Sequence, residues 1–341
     1  MRYFSFQWHI TDACDQRCEH CYIYSAPNVT DLHEVTFSNM EIILKNCIDM
    51  CNQLNRKPYF SITGGDPILH KSFWDLLELL KSFDIPFNIL GNPFHLNRAV
   101  CERLHSLGCQ KYQLSLDGLE NTHDKIRRKG SYKATLEKIP VIRDSGILCA
   151  IMTTVSSTNI HEIPKLIDIV VENNVDVYAF ARYCPVKSET DLLVSAQDYR
   201  DLLEQCWEKF SEHKDAGTSF NLKDHLWTLY LYEKGLFTIR DDLDSNTIYE
   251  GCNCAINHMT ILSDATIYAC RRMTSPVGNA INDSLLDVFC GASMAKYRQY
   301  YKFEKCSKCE LLRFCRGCPA TTFGINGNMY APDPQCWKTI E

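Results

Sequence analysis

No apolar run in this 341-residue chain approaches the roughly 18–20 residues that a membrane span requires. The opening stretch, MRYFSFQWHI, has no basic start, apolar core or small-residue cleavage site of a secretory signal. From its third residue it already reads as a strand. Positive charge is not in excess: 36 Lys and Arg face 42 Asp and Glu, a formal net charge of −6. That balance argues against non-specific nucleic-acid binding, which relies on cations to neutralise phosphates. Internal repeats and low-complexity tracts are missing too. The expectation is a cytoplasmic protein with no membrane or nucleic-acid partner. Its hydrophobic content of 45% and charged content of 23% are those of an ordinary globular chain, and its length suggests one large and one small domain. What is not scarce is cysteine. In a cytoplasmic protein 19 of them are sooner metal ligands or free thiols than disulfides.

Three of these, Cys14, Cys18 and Cys21, stand in a C-x3-C-x2-C run directly after the strand-like Tyr3–Thr11. Three thiolates on one loop can hold three irons of a [4Fe–4S] cluster. The run offers no fourth cysteine, so one iron stays open to a ligand, which suits chemistry better than electron carriage. The competing reading is a zinc site completed by His20. The spacing, with Tyr22 just after the last cysteine, resembles the signature of the radical S-adenosylmethionine (radical SAM) enzymes. That resemblance implies that the amino and carboxylate groups of S-adenosylmethionine chelate the open iron. Reductive cleavage would then release a 5′-deoxyadenosyl radical that abstracts hydrogen from substrate.

Short apolar runs alternate with longer amphipathic ones through the first half, the pattern of β–α units on a parallel sheet. Strands are expected at Tyr3–Thr11, Tyr59–Thr63, Phe87–Leu90, Lys111–Leu116, Leu148–Val155 and Val175–Ala181. Helices are expected at Ser38–Leu54 (Ile42, Ile43, Cys47, Ile48 and Cys51 forming its apolar stripe), Phe73–Phe83, Asn97–Leu107, Tyr132–Ser145 and Ile163–Asn173. Six such units resemble the partial (β/α)6 TIM-like barrel of the radical SAM family, so the fold class is α/β. In barrels the chemistry sits at the C-terminal ends of the strands, where the cysteine loop lies. We expect the barrel over residues 1–185, a helical bridge over 186–250 with helices at Glu189–His213 and Lys223–Gly235, and a small cysteine-rich domain over 251–341. The charged run Arg240–Asp244 reads as a solvated face.

Thr63-Gly64-Gly65-Asp66-Pro67 follows the second strand. A Gly-Gly pair, lacking Cβ atoms, lets backbone approach a ligand closely, and Asp66 can accept from an ammonium. Alone, the stretch reads as a turn. After a barrel strand it resembles the family's GGE-type motif, with Asp66 where glutamate is commoner, implying a contact with the methionyl amine. Ser115 and Asp117 share one face of the fourth strand's end. The resemblance implies contacts with the cofactor's ribose and carboxylate there. It also places Arg127 on the carboxylate, with Arg128 a rival and an exposed helix cation the bland alternative. Ile151–Val155 and Phe180–Arg182 would border adenine and substrate by position alone.

From Cys252 onward the cysteines return: Cys306-x2-Cys309-x5-Cys315-x2-Cys318, then Cys336, preceded by Cys254-x10-Ala265-x4-Cys270. Paired C-x2-C knuckles also bind zinc, and two zinc ribbons compete. The pattern resembles the SPASM extension of peptide-modifying radical SAM enzymes, which carries two auxiliary [4Fe–4S] clusters. Carried over by position, Cys306, Cys309, Cys315 and Cys336 hold the distal cluster. Cys270, Cys318 and one or both of Cys252 and Cys254 hold the proximal one, full ligation requiring a sharp turn at Asn253. Two departures stand beside ligands: Ala265 replaces the usual glycine, and two residues rather than three precede Cys318. Cys290 is expected to pack as an apolar residue in a helix over Leu285–Tyr301. Cys47 and Cys51 read as core, and Cys184, after the sixth strand, as a buried thiol near the barrel mouth.

The resemblance as a whole implies an oxidoreductase that uses S-adenosylmethionine and three [4Fe–4S] clusters to abstract hydrogen from a ribosomally made peptide, forming a thioether or other crosslink. A reductase or flavodoxin-type donor would supply electrons. With the chain opening on its first strand, leader recognition falls to the barrel, the bridge, the C-terminal domain or a leader-binding partner. An anaerobic sulfatase-maturing enzyme shares this architecture and is the first alternative. An iron–sulfur electron-transfer or scaffold protein is the second, disfavoured because a carrier needs neither GGDP nor the Ser115/Asp117 pair. No general base can be picked from spacing.

Overall fold

The computed structural model describes residues 2–24, 32–185, 190–244 and 246–340. Its strands in chain order are β1 (Tyr3–Thr11), β2 (Lys57–Gly64), β3 (Phe87–Leu90), β4 (Cys109–Ser115), β5 (Leu148–Val155), β6 (Val177–Arg182), β7 (Ser219–Asn221), β8 (His258–Ile261), β9 (Thr266–Tyr268) and β10 (Pro276–Asn279). Its helices are α1 (Phe37–Gln53), α2 (Phe73–Ser82), α3 (Arg98–Ser106), α4 (Glu120–Ile126), α5 (Ser131–Asp144), α6 (Ile163–Glu172), α7 (Ala196–Glu212), α8 (Leu226–Glu233), α9 (Leu285–Cys290), α10 (Ala292–Ala295) and α11 (Pro319–Asn326). The expected α/β alternation is therefore present.

The chain forms two compact units. The first comprises Met1–Leu116, His123–Ile151 and Cys254–Arg298. Its strands run in the order β10-β9-β8-β1-β2-β3-β4-β5, parallel through β8-β1-β2-β3-β4 and antiparallel from β8 to β10. On β1, Phe4, Phe6, Trp8 and Ile10 share one face by the two-residue period and are fully buried, with Phe6 stacked on Phe60 of β2 at 5.2 Å. Thr36 caps α1 by accepting from the Asn39 amide. The buried stripe of α1 is Met40, Ile43, Leu44, Cys47, Met50 and Cys51, and Ile42, expected inside, is 42% exposed. Three short strands, β8 to β10, and the seven-residue α4 were not expected.

The second unit comprises Asp117–Thr122, Met152–Asn253 and Gln299–Glu341, with β5 ending here beside β6 and β7. Helices α7 and α8 are polar outside and aromatic inside, as expected: Phe210 stacks on Phe220 at 4.2 Å and Trp227 meets Phe210 at 5.6 Å. Glu189, where α7 was expected to start, lies outside the described residues; the helix begins at Ala196, capped by Ser195. The helix expected over Leu285–Tyr301, in the first unit for most of its length, is broken. Gly291 is extended, and a Cβ on it would lie 2.7 Å from the Asp287 carbonyl oxygen. Cys290, just before the break, is exposed, not packed. Among the described residues no helix is long and apolar enough to cross a membrane.

Candidate active site and thiol clusters

In the first unit a bulge near the end of β1 brings Thr11 opposite Gly64 of β2. The loop that follows docks on the two glycines by backbone alone: the Gly65 amide donates to Thr11 O and the Asp66 amide to Ala13 O, both at 2.8 Å. A Cβ on Gly64 or Gly65 would lie 2.1 Å from the Thr11 or Ala13 carbonyl oxygen. Gly64, at φ +149, is moreover in a region that side chains rarely adopt. The Gly-Gly pair thus has a packing role the sequence did not reveal, setting the cysteine loop against the end of β2.

Within the loop, Cys14 Sγ accepts from the Gln16 amide at 3.4 Å and from Asn92 Nδ2 at 3.3 Å. Burial raises the Cys14 thiol pKa, and these donors partly offset it. Arg127 Nη1 points at Cys18 Sγ at 3.7 Å, whereas Arg128, half exposed, reaches the Asp15 carbonyl at 3.3 Å. Among the described residues the three thiols, with or without His20, do not gather within 4.8 Å of one another. A tetrahedral zinc site needs sulfurs about 3.8 Å apart, the edge set by 2.3 Å bonds. A cubane instead holds each thiolate on its own iron, so its three ligands need not converge on one ion.

Asp66 is fully buried, and no donor closes a hydrogen bond on either carboxylate oxygen. Burial first, then the nearby Asp15 charge, pushes its pKa up to about 7, although the Asn92 and Ile68 amides lie close enough to pull it down somewhat. A buried carboxylate without donors fits a ligand that brings an ammonium. Ser115 closes β4 in the same unit. Asp117, in the second unit, is fully buried, and its Oδ1 accepts from the Thr154 amide at 2.8 Å.

Sequence reasoning missed two residues here. His9 is 1% exposed with an unpartnered Nδ1, and burial, then the Arg271 cation, pushes its pKa well down. Arg271 lies 4.1 Å over the Tyr22 ring, its buried Nε without an acceptor. The Cys270-Arg271-Arg272 triplet was the only available hint, and it is shared by any surface cation pair. In this unit Cys254 Sγ donates to Ala269 O at 3.3 Å, and Ser275 ties the Cys270 backbone on both sides.

In the second unit Cys306, Cys309, Cys315 and Cys336 line one pocket with Leu229, Leu311, Gly317 and Ile340. Burial pushes Cys306 and Cys315 up to about 12, with the Cys336 thiol adding to each. Thiols raised in this way ionise only when a bound cationic metal compensates them.

Cys318 caps α11, and its amide donates to Asp333 Oδ2 at 2.7 Å. Asp333 also receives Arg182, whose buried guanidinium bonds Asp224, Asp333 and Gln335 at 2.9–3.1 Å. Arg182, expected by position to border adenine or substrate, is held within this network. The Cys252 carbonyl accepts from Arg316 at 2.9 Å and its thiol contacts His225. The left-handed residues near the Cys252/Cys254 pair are Gly251 and Ala255, not Asn253. Ala265, where glycine is usual, is left-handed at φ +66.

Comparison with known proteins finds two matching families in the chain. Residues 8–170 match the Radical SAM superfamily, and residues 252–319 match SPASM, an iron–sulfur cluster-binding domain. The AdoMet-dependent heme synthase of Nitratidesulfovibrio vulgaris is 25% identical, the match covering 96% of this chain and 90% of that protein. Mycofactocin maturase MftC of Mycobacterium ulcerans is also 25% identical, over 96% of this chain and 86% of its own. In fold, the chain is similar to Streptococcus suis SuiB bound to precursor peptide SuiA, with TM-score 0.78, 22% identity, and coverage of 99% and 76%.

Proposed function

We propose that this enzyme, whose chain belongs to the radical SAM superfamily and carries a SPASM iron–sulfur domain, modifies a ribosomally made peptide by radical hydrogen abstraction, forming a thioether or other crosslink. The observation that carries the radical chemistry is the loop of three free thiols, docked on Gly64 and Gly65 beside a buried carboxylate without a donor. When bound, the cluster and S-adenosylmethionine supply one electron and a 5′-deoxyadenosyl radical that takes a hydrogen atom from substrate.

The chain's own residues hold and orient. Cys14, Cys18 and Cys21 are the three protein ligands, Asn92 supports Cys14, and Arg127 faces Cys18. Asp66 accepts the cofactor ammonium; Ser115 and Asp117 serve the ribose and carboxylate. Cys306, Cys309, Cys315 and Cys336 hold a distal auxiliary cluster, and Cys252, Cys254, Cys270 and Cys318 a proximal one, making three clusters in all. A flavodoxin-type reductase supplies electrons, and a partner protein is a candidate for presenting the leader.

The peptide class is supported by MftC, a maturase by name, and by the sporulation killing factor maturation protein SkfB of Bacillus subtilis. A second reading, action on an iron tetrapyrrole, is favoured by relatives named as heme and Fe-coproporphyrin III synthases, which match 96–98% of the chain. The test is to incubate the reduced, reconstituted enzyme with S-adenosylmethionine and, in parallel, a short cysteine-rich peptide encoded beside it or an iron porphyrin. The proposal expects 5′-deoxyadenosine and a peptide lighter by two hydrogens for each crosslink. A changed porphyrin with an unchanged peptide would select the second reading, and a formylglycine product the sulfatase-maturing alternative.

A further inference from the structure

Cys184, in the Tyr183-Cys184-Pro185 segment just past β6, has no part in the function proposed above. Its Sγ lies 3.8 Å from Cys318 Sγ and 3.0 Å from Thr321 Oγ1. The contact is prepared on both sides. Cys318, Thr321 and Gly324 recur every three residues from the cap into α11, so they stand on one helix face. A Cβ on Gly324 would lie 2.1 Å from the Pro185 carbonyl oxygen. A side chain there would push the segment carrying Cys184 off the helix. Thr321 is fully buried, so its hydroxyl takes its partners from within the fold, and Cys184 is one of them.

The separation determines which role each sulfur can take. About 3.8 Å is the edge of a tetrahedron of sulfurs around one ion. Among the described residues, however, no third ligand joins the pair within 4.8 Å. Two cysteines on different irons of a cubane must stand further apart, since each points out from its own corner. Only one of the pair can ligate at this geometry. Cys318 has the fixed position, with its amide on Asp333 and its carbonyl accepting from the Thr322 hydroxyl at 3.1 Å.

We infer that Cys184 remains a protonated thiol and donates S–H to the sulfur of Cys318, with the Thr321 hydroxyl donating in turn to Cys184. Hydrogen bonds to ligand sulfurs stabilise the more negative, reduced state of an iron–sulfur cluster and so raise its reduction potential. Cys184 thus tunes the proximal auxiliary cluster through Cys318 without binding iron. This rests on the reading of Cys318 as a ligand of that cluster.

The test uses the full-length enzyme, reconstituted anaerobically, with iron and sulfide content measured and each cluster followed by EPR-monitored redox titration. Cys184→Ala should keep wild-type iron content while one auxiliary cluster moves to a more negative midpoint potential and loses an exchangeable proton coupling. Thr321→Val, close in shape, should shift the same cluster the same way by less. Cys318→Ala should lose iron. Unchanged potentials in Cys184→Ala, with iron lost in Cys318→Ala, would overturn this inference alone. Loss of a whole cluster's iron in Cys184→Ala, with the remaining clusters unchanged, would make Cys184 a ligand and overturn it as well. Full iron retention in Cys318→Ala would remove the ligand reading and the inference together.

Discussion

Replacing Asp66 with asparagine should move two quantities in opposite directions. The side chain keeps its size and loses its charge. In the absence of cofactor that charge is a burden, because burial and the Asp15 charge push the Asp66 pKa from 3.8 to about 7. A rise of roughly 3 in pKa is worth roughly 4 kcal/mol, at 1.36 kcal/mol for each tenfold change. The folded pKa lies above the unfolded one. The stability that Asp66 contributes is therefore complete below pH 4 and declines as pH rises towards 7. Cofactor-free wild-type protein should lose unfolding free energy between pH 5.5 and 7.5, and Asp66→Asn should lose less. At pH 7.5 the variant should be the more stable by about 2–4 kcal/mol, reduced where the buried amide lacks partners. The affinity for S-adenosylmethionine should fall, since a hydrogen bond between charged partners is worth about 1.5–3 kcal/mol, or roughly 10- to 150-fold. Denaturant titrations at the two pH values and equilibrium dialysis with labelled cofactor provide the readings. Unchanged affinity, or a variant less stable than wild type at pH 7.5, would refute the placement of the ammonium on Asp66.

Three further substitutions probe separate parts of the structure. Gly65→Ala puts a Cβ 2.1 Å from the Ala13 carbonyl oxygen, a backbone atom that cannot swing away. The iron of the catalytic cluster should be lost while the auxiliary iron, counted by Mössbauer spectroscopy, persists. Ala265→Gly removes a Cβ from a residue at φ +66. Relief of about 1–2 kcal/mol of left-handed strain outweighs the 0.5–1 kcal/mol entropic cost of glycine, so calorimetry should show a higher Tm. Arg182→Met leaves Asp224 and Asp333 buried without their cation, which should cost about 3–5 kcal/mol in chemical denaturation. An unchanged midpoint would mean that this network does not stabilise the second unit.

What could be read from the sequence was local in the chain. The C-x3-C-x2-C run, the strand before it and the Gly-Gly pair lie within short windows, and each has a chemical meaning at its own spacing. The six β–α units were legible because each strand is an apolar run bounded by turn residues. What escaped depends on distant partners. Arg182 looked like a strand-end residue facing substrate, and only the fold brings Asp224 and Asp333 to it. Helix α4 (ENTHDKI) is polar and two turns long, too short for a periodic signal. Strands β8 to β10 have three or four residues each, below the length at which alternation is visible. Cys290 read as core because Leu285–Tyr301 looked like one helix, and the extended backbone at Gly291 was not foreseeable from composition. The Cys184–Cys318 contact joins residues 134 apart in sequence.

The central claim is that Cys14, Cys18 and Cys21 hold the cluster that cleaves S-adenosylmethionine. The measurement is the 5′-deoxyadenosine formed under reducing conditions by the enzyme in which all three are alanine, alongside its iron content. The account predicts auxiliary iron retained and no 5′-deoxyadenosine above the enzyme-free control. Cleavage at the wild-type rate by that protein would contradict it.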